Sequence, residues 1–209
     1  MAYQKLTLDP ATPPTVRRLI EHLEGLFLRD VHCMLRLPVP NYRLTAGCNF
    51  AITQVLTAAI GGVSVTLYRH TGSKGQRFKG LLIDYYPWML EPGNAVTPTD
   101  GAEVIYAVIR NPLTHDLGLD LEKKKKTAKV VIKRRGTTGT HGLPEKTIEE
   151  MLERNDRRLV MSPTVTIHQG KTVLLVEALY WGLRIMIERL TRDRARMQAA
   201  DAFLSKHFS

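Results

Sequence analysis

Apolar residues in the first half of the chain recur at helical spacing. Pro13 and Pro14 precede Val16-Arg17-Arg18-Leu19-Ile20, and proline suits the first helical turn, where its missing N–H is no loss. Leu19, Leu23, Leu26, Phe27, Val31, Met34 and Leu35 then keep an i, i+3, i+4 pattern, which predicts one long amphipathic helix ending before Pro38 and Pro40. A second helix is predicted from near Leu44 through Cys48, Ala51, Ile52, Val55, Leu56, Ala59 and Ile60. It is apolar on most sides, hence central, and residues 63–67 after Gly61-Gly62 have strand-like composition.

Ser73 is placed to cap a third helix carrying Phe78, Leu81, Leu82 and Tyr85. Pro87, Pro92, Gly93 and Pro98 mark a long connection. Thr99 or Asp100 then caps a fourth helix, with Glu103 in its first turn, through Val104, Ile105, Val108 and Ile109. From Glu122 the pattern changes. Four lysines, Lys123, Lys124, Lys125 and Lys126, precede Val130-Val131-Ile132 and the basic run Lys133-Arg134-Arg135. A Gly/Thr-rich loop to Gly142 and a short helix at 144–155 follow. Thr164-Val165-Thr166-Ile167 and Lys171-Thr172-Val173 flank His168-Gln169-Gly170 as a hairpin, with residues 129–135 pairing with one arm. Residues 174–208 read as one long helix with Leu175, Leu179, Leu183, Met186 and Leu190 inward. The chain therefore reads as a single, mainly α domain over 1–209, with a helical core at 13–125, a basic β-containing insert at 126–173 and a C-terminal helix at 174–208.

Composition adds limits. A chain of 209 residues with 44% hydrophobic content can bury one full core. The longest apolar stretch, 50–67, is interrupted by Thr53, Gln54, Thr57, Gly61, Gly62 and Ser64, and the N-terminus lacks the charged head and apolar run of a signal peptide. Cys33 and Cys48 have no metal-type spacing and read as buried reduced thiols, so a cytoplasmic location is expected. The formal net charge of +10 favours polyanions, of which nucleic acid is the commonest intracellular one. Lys123–Lys126, Lys129, Lys133, Arg134 and Arg135 are the candidate phosphate-tracking residues; the bland alternative is a solvated turn and a lysine-protected strand edge. Tyr85, Tyr86 and Trp88 fit core packing better than base stacking, and Tyr180 and Trp181 fit core or dimer contacts. His22 and His32 lack partners at ligand spacing, and no metal or cofactor is called for.

One segment carries chemistry: Arg110-Asn111-Pro112-Leu113-Thr114-His115. A residue before proline is pushed from helical angles, so the fourth helix is expected to stop or kink at Arg110, with Asn111 capping a new turn. Residues five apart on a continuous helix point about 140° apart, and the break would let Arg110 and His115 converge. Guanidinium grips a phosphate with a planar fork, while imidazole takes a proton from a ribose 2′-hydroxyl or supplies one to the leaving oxygen. Asn111 is the candidate orienting group. Spacing alone is weak evidence, since an arginine and a histidine with four to six residues between them also occur at Arg17…His22 and at Arg134 or Arg135…His141.

This Arg-Asn-x-x-x-His segment resembles the motif of the HEPN superfamily (higher eukaryotes and prokaryotes nucleotide-binding), over about residues 13–125. The resemblance implies a helical bundle; the β-element before the last helix is read from the chain's own pattern and has no counterpart in the family's. The resemblance also implies homodimerisation that joins two motifs, and a metal-independent endoribonuclease of a toxin–antitoxin or antiviral defence system. On that reading Arg110, Asn111 and His115 are the catalytic set, RNA is the ligand, and a cognate antitoxin is a further partner. Two alternatives stay open: a non-catalytic module of the same fold that binds nucleic acid, nucleotide or protein, and a structural or regulatory subunit.

Overall fold

A computed structural model describes residues 3–36, 48–69, 71–91, 93–115, 129–133, 163–168 and 171–207. Within them the chain is mainly helical with a small three-stranded sheet. The expected helix start at Leu44, the basic residues Lys123, Lys124, Lys125, Lys126, Arg134 and Arg135, the loop to Gly142 and the helix at 144–155 lie outside the described residues.

Helix α1 (Pro14–Leu23) passes through a π-helical turn, Glu24–Leu28, into α2 (Arg29–Arg36), as the long first periodicity requires. Helix α3 (Asn49–Val63) runs on through a second π turn, Ser64–Tyr68, so residues 63–67 are helical rather than extended. Their β-branched side chains suit a strand, but Val63, Ser64 and Leu67 are buried in the helical core, and burial outweighs so weak a preference. The whole stretch Asn49–Tyr68 has the length and apolarity to cross a bilayer; half of its most apolar window is buried inside the fold, as befits a core helix.

Helix α4 (Lys74–Tyr85) starts at the expected cap. Ser73 Oγ accepts from Gln76 N, and the Gln76 side chain accepts from Ser73 N, a reciprocal capping box. Helix α5 (Pro98–Glu103) is capped by Thr97, ahead of the expected Thr99 or Asp100, and Thr97 Oγ1 accepts from Asp100 N. The reason is Pro98, which occupies the first helical position, where no N–H is needed. A π-helical turn, Val104–Arg110, leads into α6 (Asn111–His115).

Strands β1 (Lys129–Lys133), β2 (Val165–His168) and β3 (Lys171–Leu175) form the sheet in the order β1-β3-β2. β2 and β3 make the expected antiparallel hairpin, and β1 pairs with β3 in parallel. The expected single C-terminal helix is instead a strand end and two helices. Leu174 and Leu175 belong to β3, after which come α7 (Val176–Leu190) and α8 (Arg194–His207). The break is chemical: Asp193 accepts from Arg196 N through Oδ1, restarting the helix after a turn in which Thr191 Oγ1 donates to Glu188 O.

The core is one cluster around α3 and α7. Ile52, Leu56 and Ile60 of α3 and Leu179, Leu183, Met186 and Ile187 of α7 are fully buried, and the two helices pack together. Gly182 of α7 lies against the phenol end of Tyr86, and a β-carbon there would fall 2.0 Å from its oxygen. The extended segment before α1 is clamped by side chains. Arg184 donates to Tyr3 Oη at 2.6 Å and to Gln4 O at 2.5 Å, and Leu6 N donates to Glu24 Oε1 at 2.7 Å. The thiols differ from expectation: Cys33 is exposed and Cys48 half-buried, both free, because Cys33 shares the outward face of α2 with Arg29 and Asp30.

Candidate functional site

The segment that carries Arg110 does not break at Asn111. Asn111 has φ −64° and ψ −48°, ordinary right-handed helix, and its N–H donates to Tyr106 O five residues back. The widened turn explains how Pro112 is tolerated. A proline ring clashes with the carbonyl four residues before it and cannot donate to it, and a π turn moves that carbonyl out of the way. The break expected at the Asn-Pro step is thus replaced by a π turn over Val104–Arg110. Asn111 is not an N-cap. Helix positions 110 and 115 then sit about 140° apart around one continuous axis, so the convergence expected from a break does not arise within the helix. A π turn by itself does not mark the site, because two others lie in the first helix and after α3.

Arg110 is half-buried and held in place. Its Nη1 donates to Asn111 Oδ1 at 2.9 Å, and its guanidinium carbon lies 5.7 Å from the centre of the Tyr106 ring. Asn111 therefore orients the arginine. Tyr106 is a residue that sequence reasoning passed over; its position one helical step before Arg110 on the same face is the signal that would have found it. The Tyr106 ring lies 5.4 Å from that of Phe78 and crosses α4 at Gly75, whose absent β-carbon leaves room for the phenol. Lys79 Nζ lies 5.7 Å from the same ring and 2.7 Å from Glu103 Oε2. His115 closes α6.

Of the candidate phosphate contacts, Lys129 and Lys133 stand at the two ends of β1. Both β1 and the 104–115 segment pack on α3, so one core helix supports the basic strand and the motif. No family model, no curated protein and no solved structure matches this chain.

The other polar clusters are knit into the fold. Tyr86 and Trp88 are buried, with Tyr86 Oη 2.5 Å from Thr164 Oγ1 and donating to Ala178 O, and Trp88 Nε1 donating to Leu82 O. Glu91 accepts from Thr164 N at 3.1 Å and from Thr164 Oγ1 at 2.5 Å, fastening the start of β2; burial pushes its carboxyl above the ordinary range. Tyr85 donates to Asp193 Oδ2 at 2.5 Å and accepts from Arg196 Nε, and burial leads the causes that push its hydroxyl up to about 12. Tyr180 is core, its ring 5.0 Å from that of Trp181 and its hydroxyl accepting from Arg184 Nη1 at 3.3 Å. His32 is buried between Tyr3 and Tyr180. Among the described residues no three His, Cys, Asp or Glu side chains gather as a metal site.

Proposed function

We propose that this chain is a HEPN-like, RNA-binding homodimer of the cytoplasm that cleaves RNA without a metal. The observation that carries the reading is the Arg110–Asn111 pair: a half-buried guanidinium fixed by its neighbour, at the start of Arg-Asn-x-x-x-His, in a mainly helical chain of net charge +10. An arginine held this way has lost much of its rotamer freedom before a phosphate arrives, which favours binding of a phosphoryl group.

The continuous helix alters how the parts would meet. Since positions 110 and 115 diverge around one axis, the reading pairs Arg110 of one protomer with His115 of a second copy. There the imidazole takes the proton from a ribose 2′-hydroxyl as that oxygen attacks phosphorus. Arg110 stabilises the charge on the pentacoordinate phosphorane. The P–O5′ bond then breaks, leaving a 2′,3′-cyclic phosphate and a 5′-hydroxyl, the leaving oxygen taking a proton from an imidazolium. Lys123–Lys126, Lys129, Lys133, Arg134 and Arg135 supply the sequence-independent hold on the backbone. A toxin or antiviral defence role, with an antitoxin as partner, belongs to the same reading.

The test is incubation of wild-type protein and His115→Ala with total RNA in EDTA. Cleavage by the wild type alone supports the proposal; equal cleavage by the variant overturns it. Salt-dependent RNA binding with no cleaved product would instead favour the non-catalytic module.

A further inference from the structure

We infer that the outer edge of β2, unpaired among the described residues, receives an extended, basic and apolar segment of a partner protein as a fourth strand. The inference rests on the sheet and a cleft beside it, and is independent of the reading of Arg110.

The two sheet edges are built differently. β1, one edge, is bracketed by Lys129 and Lys133, a common way of preventing another chain from pairing there. β2, the other edge, reads Val-Thr-Ile-His, with no lysine and no proline, and Ile167 is 54% exposed. Leu175 N donates to Thr164 O at 2.9 Å, so the alternation of an antiparallel pair turns the backbone of residues 164, 166 and 168 toward β3. The N–H and C=O groups of Val165 and Ile167 then face outward. Among the described residues β2 pairs with β3 alone.

An open cleft of about 460 Å³ runs along that edge. Three consecutive β2 residues line it, Val165, Thr166 and Ile167. Successive side chains of a strand point to opposite faces, so a cleft touching all three must reach around the strand's edge. Val104 and Val108 of the π turn also line it and supply apolar surface for side chains of an incoming strand.

Charge selects the occupant. In a chain of net charge +10, the charged residues that line this cleft among the described residues are Asp100 and Glu103. Asp100 Oδ2 accepts from Thr97, and Glu103 Oε2 takes Lys79 at 2.7 Å; among the described residues Asp100 Oδ1 and Glu103 Oε1 accept no hydrogen bond. Backbone pairing provides affinity, the apolar wall provides pockets, and the carboxylates favour lysine or arginine between the apolar residues.

The probe is a short capped peptide of alternating lysine and valine, labelled and titrated with the full chain by fluorescence anisotropy. Saturable binding is expected, with at least about tenfold weaker binding when lysine is replaced by glutamate. This preference opposes the overall charge of the protein, so unspecific attraction cannot mimic it. Methylating alternate backbone nitrogens, which removes strand hydrogen bonds and keeps the side chains, should also weaken binding at least about tenfold. Ile167→Lys, at an exposed position, should weaken it similarly with Tm unchanged. Absence of saturable binding, indifference to N-methylation, or a preference for the glutamate peptide overturns the proposal. So does concentration-dependent self-association that Ile167→Lys abolishes, which would make this edge a contact between copies.

Discussion

Arg110 donates from Nη1 to the side-chain oxygen of Asn111, its own neighbour in the chain, at 2.9 Å. The contact makes Asn111 a positioning residue rather than a helix cap. Asn111→Ala should leave the Tm nearly unchanged and lower RNA cleavage about tenfold by releasing the guanidinium. Arg110→Lys, which keeps the charge and loses the planar fork, should lose more activity than Asn111→Ala. The pair of rates, measured with Tm on the same samples, checks this.

An unbroken helix through Asn111 separates positions 110 and 115 around one axis, and the proposed site is completed by a second copy. Inactive Arg110→Ala and His115→Ala proteins, once mixed and allowed to exchange subunits, should regain activity. One of the two sites in each mixed dimer then holds both wild-type groups. If both groups acted from the same protomer, every site would carry one defect and mixing would restore nothing.

Removing Lys133, Arg134 and Arg135 together, as alanines, should weaken RNA binding across sequences. It should reduce the slope of log affinity against log salt by roughly 2, at about 0.7 per phosphate contact on single strands. An unchanged slope in a salt titration would place these cations outside the RNA interface.

Glu91 offers a test of the sheet's attachment. Burial raises its carboxyl pKa above the ordinary 4.5, so the folded state binds this proton more tightly than the unfolded chain. Its contribution to stability is fully present below the unfolded value and is lost as pH rises through the folded one. Urea midpoints should therefore carry a component that falls with rising pH above about 4.5. Glu91→Gln, which still accepts from Thr164 N, should flatten that component.

Gly182→Ala tests the core. The β-carbon would lie 2.0 Å from Tyr86 Oη, the atom that the Thr164 hydroxyl and the Ala178 carbonyl hold by hydrogen bonds. A helical Gly→Ala change ordinarily gains about 1 kcal/mol. Here it should cost at least about 1–3 kcal/mol through overpacking, read as a lower urea midpoint.

How far the sequence could be read depended on the range of the forces involved. The first helix, the Ser73 cap and the existence of the β2–β3 hairpin were legible because periodicity, caps and turn residues act over a few positions. Residues 63–67 were not, since packing against the core overrode their strand preference. The break at Asp193 escaped because apolar periodicity continues across it, and only the Asp193 carboxylate on Arg196 N marks the restart. At the candidate site the residue types were visible and the backbone was not. Proline chemistry argued for a break at Asn111, whereas a π turn one helical step earlier absorbed it. Tyr106 was missed because its contacts with Arg110 and Phe78 depend on where α4 lies.

The central claim is that the motif cuts RNA by attack of the 2′-hydroxyl, with His115 moving the proton and no metal taking part. It is tested most directly by incubating wild type and His115→Ala with an RNA oligonucleotide and its DNA counterpart in EDTA, then weighing the fragments by mass spectrometry. Wild type should yield RNA fragments ending in 2′,3′-cyclic phosphate and leave DNA intact, and the variant should leave RNA intact. Intact RNA with the wild type, or the same fragments from His115→Ala, would contradict it.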